Sequence, residues 1–271
     1  MDDIKVLFVN QEIEPYVVGT QMASAGLKLP QQAMALGYDV RTFMPKFGVI
    51  NERRNQLHEV IRLSGLNLVI AGADHPLIIK VASIPSTKIQ VYFIDNDDYF
   101  LRRQMAVDEN GEAYQDNGQR AVFFARGVLE TVKKLRWAPD IIHCQGWMAA
   151  TVPLLIKKAY RDEPTFAGTK VVTSLFNHQM KGSLGNHFKK TIEFKSAKAS
   201  ALGEFNDAFD YNELDKLAIA YSDGVIEGGP GIKPELLDFA AAKKVALLPY
   251  AGEDFIEAYQ AFYDQISTAK K

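Results

Sequence analysis

Short apolar runs alternate with segments of helical periodicity along most of this chain. Apolar runs bounded by turn formers predict buried strands, whereas apolar residues spaced three and four apart predict amphipathic helices. Strands are predicted at residues 4–10, 39–44, 141–142, 170–175 and 224–226, and helices at 22–37, 117–135, 213–221 and 234–242. This alternation is typical of an α/β fold with a parallel sheet and right-handed crossovers.

Other stretches depart from this alternation. Residues 66–71, 77–84 and 89–95 are strand candidates with no helix between them, which indicates an antiparallel insertion or an extension of the sheet. The polar segment 51–62 predicts a surface helix. Residues 253–266 predict a final amphipathic helix, whose apolar positions are Phe255, Ile256, Tyr259, Phe262 and Tyr263.

The segment 138–158 joins a strand, a polar turn and a helix. Its apolar run ends at Ile142, the turn His143-Cys144-Gln145-Gly146 follows, and an apolar-periodic helix begins at Trp147. In open α/β sheets, ligands bind outside the carboxyl ends of the strands, where such turns lie. We therefore expect this turn to form one wall of any small-molecule site.

The composition limits the classes of partner. The chain has 271 residues and a net charge of −2, from 31 basic and 33 acidic residues, which favours neither nucleic acid nor an anionic membrane as its main partner. The chain has a single cysteine, Cys144, which fits a reducing compartment. The spacing of His178 and His187 is not that of metal ligands. Neither a signal peptide nor an apolar run of the ~20 residues that span a bilayer is evident. The sequence therefore predicts a soluble cytoplasmic protein with no metal site and no cofactor.

Five motifs follow one another in the first 147 residues. They are Lys5-Val6-Leu7-Phe8-Val9 with Glu12 and Pro15; Leu29-Pro30, Ala35-Leu36-Gly37-Tyr38-Asp39-Val40 and Met44-Pro45-Lys46-Phe47-Gly48; Asn96, Tyr99-Phe100 and Arg102; Tyr114-Gln115-Asp116-Asn117; and Pro139-Asp140-Ile141-Ile142-His143 with Trp147. In this order they resemble the N-terminal half of bacterial glycogen and starch synthases, which are retaining glycosyltransferases of the two-domain GT-B architecture. The resemblance runs from about residue 4 to about residue 230.

The resemblance implies an α/β fold with a single Rossmann-like, doubly wound and mainly parallel sheet, which is one half of a GT-B enzyme, with an antiparallel insertion. Residues 1–250 would form this acceptor-side domain, and residues 251–271 a C-terminal helix that crosses back onto it. In the family, a second Rossmann domain binds the nucleotide sugar. Because about forty residues follow Pro230 here, and a domain of that kind needs on the order of 100, we do not expect the donor domain within this chain.

Several positions depart from the family's pattern. The family's first loop carries Lys-x-Gly-Gly, whose lysine and close glycine backbone approach the donor's phosphates; this chain has Val18, Thr20 and Gln21 instead. Gly146 replaces a carboxylate of the family's His-Asp-Trp turn, and Phe176 replaces a histidine that lies against the transferred sugar. These departures argue against independent catalysis and against ADP-glucose binding by this chain alone.

The resemblance also implies a glucan cleft, and each of its candidate residues has a structural alternative. Trp147 would stack on a sugar ring or be the first core residue of its helix. Tyr114, Asp116 and Asn117 would bind glucan hydroxyls, although Asp116 or Asn117 would equally cap the helix that follows.

The remaining candidates lie at strand ends. Asn177 would contact a ligand or act as an ordinary turn former. Glu12 is a candidate for the wall of the cleft. His143 would orient its turn or satisfy backbone groups rather than perform acid–base chemistry.

Three functions remain open from the sequence. The first is a catalytically degenerate relative of glycogen synthase that binds an α-glucan or maltooligosaccharide, a protein partner, or both. The second is one half of a split ADP-glucose-dependent glucosyltransferase, completed by a donor-domain partner. The third is a non-catalytic scaffold or regulatory subunit that docks, as in a homo-oligomer, through the surface freed by the missing domain.

Overall fold

The computed structural model describes residues 4–85, 87–102, 104–178, 180, 182–185, 187–252 and 254–268. Its strands are β1 (Lys5–Asn10), β2 (Asp39–Pro45), β3 (His58–Glu59), β4 (Leu66–Ile70), β5 (Ala73–Ser83), β6 (Gln90–Asp95), β7 (Ile141–Gln145), β8 (Lys170–Leu175), β9 (Gly224–Glu227) and β10 (Ala246–Leu248). Its helices are α1 (Gln21–Ala35), α2 (Asp97–Phe100), α3 (Asn117–Leu135), α4 (Val152–Lys157), α5 (Phe188–Thr191), α6 (Tyr211–Tyr221), α7 (Pro234–Ala242) and α8 (Ile256–Thr268). Among these described helices, none is long and apolar enough to cross a membrane.

The sheet has the order β10-β9-β8-β7-β1-β2-β6-β5-β3, and β4 pairs with β5. The strands from β10 to β6 run parallel, whereas β5 pairs antiparallel with β6, β3 and β4. The chain first winds from β1 to β2 and later returns to the other side of β1 with β7. This is the doubly wound, mainly parallel sheet with an antiparallel extension that the sequence predicted, so the fold class is confirmed.

Helices cover both faces of the sheet. In β1, Val6 and Phe8 belong to the apolar cluster that also contains α1 and α8 residues. Leu7 and Val9 alternate with them and belong to the larger cluster beneath α3, α4 and α6. A strand buried on both faces needs apolar residues at every position, which explains the uninterrupted apolar run of β1.

The final helix, α8, packs back on the sheet. Tyr259, Phe262, Tyr263 and Ile266 are buried in the cluster that includes β1, β7, β8 and β9 residues. The helix was predicted from residue 253, but it begins at Ile256; Glu253 and residues 269–271 lie outside the described part of the chain.

Two local predictions were wrong. Residues 51–62 form turns and the short strand β3 instead of a surface helix. Asn51 Oδ1 accepts a hydrogen bond from the Arg54 N–H, Gln56 has a positive φ, and β3 pairs with β5, so local turn chemistry and sheet pairing override the helical pattern. The predicted helix at Trp147 starts as a 3₁₀ turn, Trp147–Ala149, before α4.

Candidate functional site

A cleft of about 690 Å³ opens at the carboxyl ends of β1, β7 and β8. Because the winding direction reverses between β1 and β7, this is the position at which doubly wound sheets bind ligands. Eight of the positions singled out from the sequence line it: Glu12, Val18, Thr20, Gln21, Gly146, Trp147, Phe176 and Asn177.

The first wall of the cleft is the N-terminus of α1. Thr20 is the N-cap residue, and its hydroxyl accepts a hydrogen bond of 3.0 Å from the Ala23 N–H. The same hydroxyl donates to Glu12 Oε2 over 2.5 Å, while Gln11 Nε2 donates to Glu12 Oε1 over 2.9 Å. The buried Glu12 carboxylate is therefore fixed beside the helix N-terminus, the position at which helices attract anions.

Gln21 fills the next position of this loop. Its Nε2 donates to Tyr250 Oη over 3.0 Å, and its Oε1 lies directly against Gly229. A side chain at residue 229 would collide with Gln21. Gln21, which stands where the family has its second glycine, thus connects α1 to the loop after β9 and to the segment before α8.

The turn after β7 depends on Gly146. This residue has φ +83°, and a Cβ atom at its position would lie 2.7 Å from Gln11 Oε1 and 2.8 Å from Met22 Sδ. Left-handed backbone and close neighbours both favour glycine. A carboxylate side chain at this position would require Gln11 and Met22 to shift in this chain.

Replacing Gly146 with aspartate is therefore expected to destabilise the fold by about 2–4 kcal/mol, because it adds backbone strain and steric overlap. Gly168 is a matched control, since its φ is +82° but no atom lies within 4 Å of the position that a Cβ atom would take there. Gly168→Asp should lower the free energy of unfolding only by the strain of a non-glycine residue at positive φ, about 1–2 kcal/mol. Urea unfolding measures both; equal losses in the two variants would contradict the predicted overlap.

The aromatic residues of the cleft have different environments. Trp147 is 3% exposed and packs edge-on against Tyr211, with ring centroids 5.4 Å apart. Phe176 is partly buried and lies against Gly228, where its ring fills the space of a side chain. Asn177 is exposed at the end of β8. The more accessible aromatic surface is therefore that of Phe176.

Tyr114, Asp116 and Asn117 lie behind the cleft wall and do not line it. Asn117 Nδ2 donates to the Ala106 carbonyl over 2.8 Å and to Tyr211 Oη over 2.7 Å. Asp116 is the N-cap residue of α3 but makes no side-chain cap bond. Its carboxylate instead accepts two hydrogen bonds from Arg102, whose guanidinium also lies 4.6 Å from the Tyr114 ring centroid.

Arg120 completes this network. Its Nε donates to the Tyr99 carbonyl over 2.8 Å and its Nη1 to Asn117 Oδ1 over 2.6 Å. Burial, and then the nearby Arg102 charge, lower the pKa of Arg120 to about 10. Tyr114 N–H and Asn117 Nδ2 both donate to the carbonyl of Ala106, which does line the cleft, so the contribution of these motif residues to the cleft is indirect.

His143 lies on the opposite face of β7, under α8. Its Nδ1 is 2.5 Å from Tyr263 Oη and its Nε2 is 2.7 Å from Ser174 Oγ. Burial lowers the pKa of His143 to about 3 and raises that of Tyr263 well above its ordinary value. The imidazole and the phenol are therefore both neutral, and each ring nitrogen of His143 has a hydroxyl as its hydrogen-bond partner. His143 is a neutral core residue and does not line the cleft.

A histidine–aspartate pair in the cleft was missed from the sequence. His178 Nε2 lies 2.8 Å from Asp215 Oδ2, and both residues line the cleft. One signal was present: Asp215 is a charged residue on the apolar face of α6, between the buried Leu214 and Leu217. Within the described residues, no group of three His, Cys, Asp or Glu side chains could hold a metal ion.

The chain was compared with known proteins. It matches the family described as the starch synthase catalytic domain over residues 5–246. Glycogen synthase of Chlorobium luteolum is 40% identical over 181 residues, which cover 66% of this chain and 37% of that protein. Glycogen synthase of Chlorobaculum tepidum is 39% identical over 181 residues with the same coverage. This chain thus spans little more than a third of the length of these curated relatives.

A solved structure shares the fold. The catalytic domain of starch synthase IV from Arabidopsis thaliana, bound to ADP and acarbose, superposes with a TM-score of 0.70 at 18% identity, covering 92% of this chain and 51% of that chain. The family match includes strands β1 to β9, the first residue of β10 and all the cleft positions that the sequence singled out. This chain therefore belongs to the starch synthase catalytic domain family, the glycosyltransferases that include glycogen and starch synthases.

Proposed function

We propose that this chain is a saccharide-binding domain that does not transfer glucose by itself, and that an α-glucan or maltooligosaccharide occupies the cleft at the strand ends. The observation that carries the proposal is the N-terminus of α1, where Thr20 holds the Glu12 carboxylate and Gln21 closes onto Gly229. A nucleotide diphosphate would need this helix end for its phosphates.

Electrostatics support this assignment. The Glu12 carboxylate is buried and already accepts hydrogen bonds at both oxygens. A phosphate placed beside it would meet a like charge in a site of low polarity, where repulsion is poorly screened. A neutral ligand is not subject to this repulsion.

The composition of the cleft also suits a sugar. Its volume of about 690 Å³ lies within the range of small-molecule sites, which combine apolar walls with a few polar groups. Phe176 offers an apolar face, and the exposed Asn177 offers hydrogen-bonding groups beside it. Sugar rings present apolar C–H faces and hydroxyl rims, so both kinds of surface are used.

Calorimetric titration of the purified chain with maltose to maltoheptaose tests the proposal. We expect binding at millimolar or lower concentration, and about a 3- to 10-fold weaker affinity for Asn177→Ala, as expected for loss of one hydrogen bond. Asn206→Ala, at an exposed position away from the cleft lining, is the matched control. Absence of binding at about 10 mM oligosaccharide, which is roughly the weakest affinity expected of a specific site, would remove the saccharide assignment.

The same preparation tests the lack of catalysis. Incubated with ADP-glucose and maltooligosaccharide, the chain is expected to release no ADP, because its α1 N-terminus is occupied by its own side chains. Glucosyl transfer by the chain alone would overturn this part of the proposal.

Docking of a protein partner is the second candidate function. Val18 is 69% exposed and Val49 is 49% exposed, and both line the mouth of the cleft. Apolar side chains exposed around a cleft are a common feature of interaction surfaces. A donor-domain chain or a second copy of this chain would cover these two valines. Sedimentation of the purified chain tests whether it self-associates.

A further inference from the structure

The cleft is lined by the hydrogen-bonded pair of His178 and Asp215. Asp215 lies in the second turn of α6, is 8% exposed and lines the cleft. Its Oδ2 accepts the hydrogen bond from His178 Nε2, while its Oδ1 makes no hydrogen bond with any described residue. A carboxylate has about four acceptor positions, so this oxygen can accept a hydrogen bond from a ligand in the cleft.

The histidine is held in place by packing. Its ring meets the Tyr211 ring at 66°, with centroids 6.1 Å apart, and Tyr211 in turn packs on Trp147. Tyr211 Oη is fixed by Asn117 Nδ2. Because a carboxylate only accepts hydrogen bonds, Nε2 must carry the hydrogen that reaches Asp215, in either protonation state of the ring.

Among the described residues that line the cleft, the two acidic ones differ. Both carboxylate oxygens of Glu12 accept hydrogen bonds, from Gln11 and Thr20. Only one carboxylate oxygen of Asp215 accepts a hydrogen bond from a described residue. Hydrogen bonds from a hydroxyl to a carboxylate are stronger than those between neutral groups. Asp215 is thus equipped to bind a hydroxyl donor and would repel an anion.

We infer that Asp215 is the residue that recognises a sugar hydroxyl in this cleft, and that His178 is the positioning residue that orients its carboxylate. The inference rests on the proposed saccharide binding and adds a specificity-determining group to it. It places the recognised hydroxyl on the α6 side of the cleft, whereas Glu12 lies beside the N-terminus of α1.

The test measures maltotriose affinity by calorimetry for the full chain and for Asp215→Asn and Asp215→Ala. Loss of a charge-assisted hydrogen bond is expected to weaken binding by about 10-fold or more. Asp238→Asn, an exposed aspartate on the neighbouring helix α7, is the matched control and should bind as the parent does. Thermal melting verifies that each variant is folded.

A positioning role for His178 predicts a graded response. His178→Ala is expected to weaken binding by about 3- to 10-fold, and His178→Gln, whose amide nitrogen can still donate to Asp215, should restore most of the affinity. A purely structural role would make both variants lose thermal stability in parallel with their affinity.

Monodeoxy maltosides identify the contact independently of folding. The maltoside that lacks the recognised hydroxyl should bind the parent chain about 10-fold more weakly than the unmodified maltoside does. The Asp215→Ala variant should bind these two compounds equally, because it lacks the carboxylate that the hydroxyl contacts. Binding by the parent with unchanged affinity in both Asp215 variants would overturn this inference alone. No binding by the parent would overturn the proposed function as well.

Discussion

Replacing Phe262 with alanine is expected to destabilise the domain by about 3–5 kcal/mol, the usual loss for a buried phenylalanine. Phe262 is 4% exposed, and its ring lies 2.8 Å from the position that a Cβ atom would take at Gly224. Helix α8 therefore packs directly on β9 at this point. Total stabilities of domains are about 5–15 kcal/mol, so this loss is a large share of the whole.

Removal of residues 253–271 should have a still larger effect, because it uncovers an entire apolar cluster. The cluster that α8 shares with α1 and the sheet, which contains Val6, Phe8, Ile141 and Val172, would lose its four α8 residues. We expect the truncated chain to show no cooperative unfolding transition by circular dichroism. Gln265→Ala, on the exposed side of α8, is the control and should change stability by less than about 0.5 kcal/mol. An unchanged melting temperature after truncation would show that α8 is dispensable.

The second large effect is a loss of stability in mild acid. The pKa of His143 is lowered by burial to about 3 in the folded state, whereas an unfolded histidine titrates near ~6.5. Above about pH 6.5 the imidazole is neutral in both states, so the folded and unfolded states bind the same number of protons there. As the pH falls from about 6.5 toward 3, only the unfolded state takes up the proton, so the free energy of unfolding decreases.

The slope is about 1.4 kcal/mol per pH unit, which amounts to about 2 kcal/mol between pH 6.5 and pH 5. Urea unfolding at pH 7, 6 and 5 measures it. His143→Gln should be less stable at pH 7, because it breaks the hydrogen bonds with Tyr263 and Ser174, but its stability should fall less steeply in acid. His187→Gln, at an exposed position, should keep the parent's slope; parallel profiles for all three proteins would contradict a neutral His143.

Much of the fold was predictable because local patterns report burial. Helices α3 and α7 were predicted with the bounds observed, since their apolar spacing and terminal residues mark their ends. The structure of the surface segment at residues 51–62 was not predicted. Its turns depend on the Asn51 side chain, and its strand β3 pairs with β5, more than 20 residues away. Local periodicity cannot report such a pairing.

The site was predicted less completely than the fold. The strand-end positions Glu12, Trp147 and Asn177 do line the cleft, because carboxyl ends of parallel strands meet at one edge. His143 does not, because alternation along β7 directs it to the α8 face. The motif residues Tyr114, Asp116 and Asn117 lie behind the cleft instead, because their contacts are with Arg102 and Arg120.

The sequence by itself determined the α/β alternation, the apolar run of β1 and the changed residues of the first loop, since each is encoded by neighbouring positions. Only the tertiary structure decided that Gln21 reaches Tyr250, that His143 meets Tyr263, and that His178 pairs with Asp215. These contacts join residues from 37 to 229 positions apart. Their formation depends on which face each side chain takes and on how the crossovers bring distant segments together.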